Sequence, residues 1–117
     1  MLIRIDPASG DAIFDQIAGA VRSEIARGSL VAGDRLPAAR ELATALDINV
    51  HTVLRAYQSL RDDGLLDLRR GRGAVVADRA GAAPELIGAV RELVDEARRL
   101  GIGSATLITL IREEYPA

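Results

Sequence analysis

The chain has 117 residues, 49% hydrophobic and 27% charged, a balance that fits one small folded domain with a short appendage and excludes a wholly disordered chain. With no cysteine and one histidine, disulfide frameworks, thiolate catalysis and cysteine or multi-histidine metal centres are excluded. Net charge is -2, with 11 Arg against 11 Asp+Glu in residues 1–79 and 4 against 6 in residues 80–117, so a nucleic-acid footprint must be local rather than global.

In chain order, Leu2, Ile3 and Ile5 before Asp6-Pro7 read as a short strand ended by a turn. Asp11 is placed to cap a first helix, whose Ile13, Phe14, Ile17, Val21 and Ile25 recur at three- and four-residue spacing. Gly28 stops that helix and residues 28–33 form a loop. Leu42, Ala43 and Leu46 mark a short second helix. Asp47-Ile48-Asn49 is a tight turn, and Asn49 caps a third helix running to about Asp63, with Gly64 as terminator. Two short apolar runs, 65–69 and 74–77, flank Arg70-Gly71-Arg72-Gly73, a hairpin signal because glycine permits positive φ. Composition breaks at 78–83. Pro84 then opens a fourth helix that Gly101 ends, and Gly103-Ser104 start a fifth that ends near Tyr115-Pro116.

Three helices, the last two joined by a tight turn, followed by a hairpin make a winged helix-turn-helix. The expected fold class is therefore mostly α with a small β wing: a DNA-binding domain over 1–78, a linker over 79–83 and a two-helix tail over 84–117. On the third helix Ala56, Tyr57 and Leu60 fall within about 60° of Val53, while His51, Arg55, Gln58 and Asp62 lie roughly opposite. The buried face and the face offered to a major groove are thus separate. Asn49, His51 and Thr52 stand at the first turn, where free backbone N–H groups favour phosphate. Arg55 suits a guanine and Gln58 an adenine, and Leu54 on the flank suits a thymine methyl. In the wing, Arg69, Arg70 and Arg72 suit phosphate or the minor groove. The bland alternative is a solvated polar helix face and a turn kept soluble by arginine. No helix begins after Gly73, so the glycine-rich turn is no nucleotide loop.

Gly33-Asp-Arg-Leu-Pro37, Arg40-Glu-Leu-Ala43, Thr52-Val53, Arg55-Ala-Tyr57, Asp63-Gly-Leu65 and Arg69-Arg-Gly-Arg-Gly73 stand in an order and spacing that resembles the DNA-binding domain of the GntR family, over residues 11 to 77. The Thr-Val-x-Arg-Ala-Tyr form, with two short helices as the remaining chain, resembles the YtrA-type subfamily. The resemblance implies a homodimeric bacterial transcription regulator, usually a repressor, on a palindromic double-stranded DNA operator. It carries DNA contact to Arg40, Asn49, His51, Thr52, Arg70, Gly71 and Arg72, with Arg35 a further backbone candidate. Many members have Ser where Ala38 stands, so a helix cap is missing here. Many also have Arg where Val50 and Leu54 stand, so the operator preference does not transfer from other subfamilies.

The tail is too short for a core of its own. Leu86, Ile87, Val90, Leu93, Val94, Leu107, Ile108, Leu110 and Ile111 need a partner surface, read as a dimer interface or else as packing within one chain. One tail encloses no ligand pocket, so an unidentified small-molecule effector, where one exists, binds between two tails. No cofactor, catalytic residue or metal site is expected, and the chain is not read as an enzyme. No apolar run reaches the roughly 20 residues that span a bilayer, and MLIRIDPASG lacks a signal peptide's pattern; no membrane partner and a cytoplasmic location are the expectation. The competing function is a protein-interaction adaptor without sequence-specific DNA binding.

Overall fold

The computed structural model describes residues 3–71 and 73–116. The chain divides into two compact units, Met1–Ala83 and Pro84–Ala117.

In the first unit, residues 3–5 form no strand, although Ile3 is buried; Leu2 lies outside the described residues. Gln16 braces the turn that follows residues 3–5. Its side chain accepts from the Asp6 N–H at 2.7 Å and donates to the carbonyls of Asp6 and Asp11 at 3.0 Å each. These bonds satisfy backbone groups of Asp6 and Asp11 in the turn before α1. Asp11 is not the cap of the first helix, α1 (Ile13–Ala26): the capping position is Ala12, which has no side-chain bond to offer. Ile17, Ala18, Val21 and Ile25 form its buried stripe, and Gly28 at φ 80° turns the chain out of it.

The segment between α1 and α2 (Ala39–Leu46) is more ordered than a loop. Gly33 donates to the Val76 carbonyl at 2.9 Å, Val76 to that of Asp34 at 2.8 Å, and Leu36 to that of Ala74 at 2.9 Å. Arg35 forms an antiparallel bridge with Val75. This stretch is thus a third edge on the wing. Helix α2 starts from Ala38 without a side-chain cap bond and ends at Asp47 with φ 54°, a left-handed conformation that aspartate tolerates better than most residues. The tight turn leads to α3 (Val50–Asp62), where Asn49 Oδ1 accepts from the His51 N–H at 2.8 Å. The capping expected of Asn49 is present, and Val53, Ala56, Tyr57 and Leu60 form the buried face.

The wing is β1 (Leu66–Arg69) antiparallel to β2 (Gly73–Val76), with Leu66 opposite Val76 and Leu68 opposite Ala74. Gly71 at φ 81° and Gly73 at φ 71° supply the turn. Ile17, Val21, Val53, Leu60, Leu66 and Val76 are the largest fully buried side chains, so α1, α3 and the wing share one core. This order of elements is a winged helix-turn-helix.

The second unit contains α4 (Pro84–Arg99) and α5 (Ser104–Glu114). Gly101 at φ 74° and a bond from the Ile102 N–H to the Ala97 carbonyl at 2.8 Å form the turn between them. Ala97 is the one residue buried among those described in this unit. The Arg99 guanidinium pairs with Glu96 and holds its carboxyl below the ordinary range. No helix among the described residues is long and apolar enough to cross a membrane.

Candidate nucleic-acid interface

The first turn of α3 is built by Asn49. Its side-chain oxygen is committed to the His51 N–H, which leaves its amide NH2 to offer outward. His51 is exposed and Thr52 half-buried beside it. Arg40, on α2, borders one depression together with Thr44, Asp47, Ile48 and Val50, so its guanidinium stands next to the start of α3. Arg35 borders another with Pro37, Ala38, Glu41, Gly71 and Gly73, which sets it beside the wing tip. A third depression joins Ala38 and Ala39 to Leu54 of α3 and to Leu68, Arg69 and Arg70 of the wing. Ala38 and Gly73 border both of the last two. The start of α2, one flank of α3 and the wing tip therefore form one continuous surface.

Charge is distributed unevenly over the unit. Arg22 pairs with Asp63, Arg61 with Asp62 at 3.2 Å and Arg69 with Asp67 at 3.4 Å. Arg79 donates to the Gly64 carbonyl at 3.3 Å. By contrast Arg35, Arg40 and Arg70 are exposed and form no ion pair among the described residues. Arg4, on the N-terminal segment, and Arg27, just after α1, are also exposed without an ion pair among those residues, so what sets Arg35, Arg40 and Arg70 apart is their place beside the start of α3 and the wing.

Of the residues singled out from sequence, Arg35, Arg70 and Gly71 border this surface, Arg40 borders the depression at the start of α3, and Asn49, His51 and Thr52 occupy the capped first turn of that helix. Arg72 lies outside the described residues. Arg55 is held elsewhere: its guanidinium stands 3.8 Å from the centroid of the Phe14 ring on α1, a cation–π contact. With Phe14 and Gln58 it borders a separate depression that also holds Asp62 and Asp63. The outward angle of Arg55 on α3 is as expected; Phe14, assigned only to the apolar stripe of α1, decides where its head goes. Gln58 shares that neighbourhood.

Sequence reasoning missed the part played by Tyr57. It was placed on the buried face of α3, and its hydroxyl donates to the Pro37 carbonyl at 2.7 Å. That bond ties the recognition helix to the entry of α2, between Arg35 and Arg40. Burial, aided by the nearby Glu41 carboxylate, pushes the phenol up to about 12. A tyrosine on an apolar face announces a hydroxyl needing a partner when buried, but not which partner. Among the described residues no group of three or more His, Asp or Glu is arranged to hold a metal ion.

Residues 13–76 match the model of the bacterial regulatory proteins, gntR family. The HTH-type transcriptional repressor YtrA of Bacillus subtilis is 38% identical over 79 residues, 68% of this chain and 61% of that protein; the matched part thus spans about three fifths of the relative. The solved structure of YtrA from Sulfolobus acidocaldarius, a GntR-family transcription factor, superposes with a TM-score of 0.63 at 34% identity, covering 85% of this chain and 99% of that one. The AraR DNA-binding domain, solved in complex with operator ORX1, superposes with a TM-score of 0.56 at 26% identity, over 63% of this chain and 92% of that one. The proteins of this family and the relatives it resembles are transcription regulators, not enzymes. The chain belongs to the GntR family of bacterial regulatory proteins, with a YtrA-like winged helix-turn-helix domain.

Proposed function

We propose that the protein is a sequence-specific repressor that binds a palindromic operator as a homodimer. The first turn of α3 enters the major groove through Asn49, His51 and Thr52. Arg40 and Arg35 hold the phosphates beside it, and the Arg-Gly wing reaches backbone or minor groove through Arg70, Gly71 and Arg72. Arg55 is a lesser contact, since Phe14 already holds its head. The observation that carries this reading is that three exposed arginines without an ion pair among the described residues border the candidate surface, Arg40 at the capped start of α3 and Arg35 and Arg70 at the wing. The operator complex of the similar AraR domain supports it, as does the repressor name of the Bacillus relative.

The tail supplies the dimer. Leu86, Val90 and Leu93 on α4 and Ile108, Leu110 and Ile111 on α5 are exposed, and apolar surface of that extent is favoured against a second copy. A two-fold protein then matches a two-fold site.

The test is selection of bound duplexes from a random library, followed by fluorescence anisotropy of the selected site against scrambled DNA over a salt series. The reading expects a dyad-symmetric site bound with steep salt dependence. Arg40→Ala or Arg70→Ala should weaken every sequence alike and reduce the salt slope by about one. Equal, weak binding to selected and scrambled DNA overturns it in favour of an adaptor.

A further inference from the structure

We infer that Leu54, supported by Leu68, reads the 5-methyl group of a thymine within each half of the operator; this rests on the DNA-binding reading above. Leu66 and Leu68 are two apart on β1 and so project to the same side of the ribbon. Their partners on that side, Val76 and Ala74, are buried. Leu66 is buried with them, but Leu68 lies past the edge of the core and stays 37% exposed. There it borders the same depression as Leu54, which is also 37% exposed, with Ala38, Ala39 and Ala74 as further walls.

The seam between recognition helix and wing is therefore apolar, while its rim carries the Arg70 cation. Leu54 sits one turn after the capped start of α3, within reach of base edges when that turn enters the groove. A polyanion satisfies the rim, and the thymine methyl is the one apolar group a major groove presents. Duplex DNA carries both chemistries at once.

The experiment uses the full chain and the selected duplex, with each thymine replaced singly by deoxyuridine, which removes the methyl and nothing else. At one position in each half-site, the single replacement should weaken wild-type binding about fourfold, the loss of one buried methyl. Leu54→Ala should bind the unmodified site more weakly and lose that sensitivity, while Leu54→Met retains it and Leu68→Ala reduces it. Leu54 is exposed, so the variant's unchanged salt slope confirms intact phosphate contacts. Deoxyuridine effects that Leu54→Ala leaves untouched, or none at all, overturn the inference while the DNA-binding reading stands. A selection that yields no preferred site brings down both.

Discussion

The two units of this chain use apolar residues in opposite ways. In residues 1–83 most large aliphatic side chains of α1 and α3 turn inward, Leu54 apart, and Ile17, Val21, Val53 and Leu60 are wholly removed from water. In residues 84–117 the same residue types at the same helical spacing stay largely in solvent: Leu86 is 62% and Leu110 48% exposed. Periodicity alone marks both as amphipathic helices. What separates them is the presence of a third layer, supplied to the first unit by the wing. A helical pair of this length leaves its stripe uncovered, which is the physical basis for giving the second unit an intermolecular role.

Paired substitutions break or sustain that contrast. Leu60→Ala, in the shared core, should cost about 2–5 kcal/mol, read as a lower urea midpoint for the winged unit. Leu93→Asp, on the exposed stripe of α4, should leave that midpoint unchanged. In analytical ultracentrifugation it should instead convert a dimer to a monomer. If Leu93→Asp lowers the midpoint as Leu60→Ala does, the tail's apolar residues are spent within one chain and the contrast is lost.

The same division explains what was legible in the sequence. The buried face of α3, the Asn49 cap and the glycine turn of the wing are local features, decided within a few residues by sterics and by one side-chain bond, and each stands where it was expected. The failures involve contacts between one element and another, from Gln16 of α1 against the segment before it up to residues some forty positions apart. Ile3 and Ile5 have the composition of a strand, but no strand pairs with them among the described residues, and Gln16 on α1 holds the turn that follows at Asp6. The same Gln16 takes the Asp11 carbonyl, in a geometry where Asp11 caps nothing. Residues 33–36 join the wing through bonds to Ala74 and Val76, some forty positions away, and are too short to announce themselves as a strand. In the candidate site, the wing arginines stand out by charge and spacing, whereas Arg35 and Arg40 stand out only through the family resemblance. The contacts that hold the side chains of α3, Phe14 beneath Arg55 and Pro37 beneath Tyr57, were not legible.

Tyr57 sharpens the comparison from within the first unit, because it is the buried residue there whose polar end has one assigned task. Tyr57→Phe keeps the ring and loses the bond to the Pro37 carbonyl, for an expected cost of about 1 kcal/mol. Its pH dependence has a definite sign. The phenol is raised from 10.0 to about 12 in the folded protein, so its contribution is complete below pH 10 and is lost as pH rises toward 12. Urea midpoints of wild type and Tyr57→Phe, measured from pH 8 to 11.5, should therefore converge at the alkaline end. Since the bond also fixes the entry of α2, the variant should bind DNA more weakly at pH 8 with its salt slope unchanged. A constant gap between the two proteins across that range would assign the loss to packing instead of the hydroxyl.

An effect of similar size runs in the stabilising direction. Ala38 has φ -58° and ψ 146° at the N-cap of α2 and offers no side-chain acceptor. Those angles suit serine, whose hydroxyl would accept from the exposed N–H groups of the first turn. Glu41 already stands three residues on, so Ala38→Ser completes a capping box in which the Glu41 carboxylate reaches back to the backbone N–H of position 38. The expected gain is about 1 kcal/mol, seen as a higher urea midpoint for the winged unit with no change in the dimer's dissociation constant. Drawing Glu41 toward the cap also moves a carboxylate relative to Tyr57, whose phenol it helps to raise. The alkaline limb of the stability profile should shift with it, and a profile that keeps its shape while the midpoint rises would show that Glu41 does not take part in the cap.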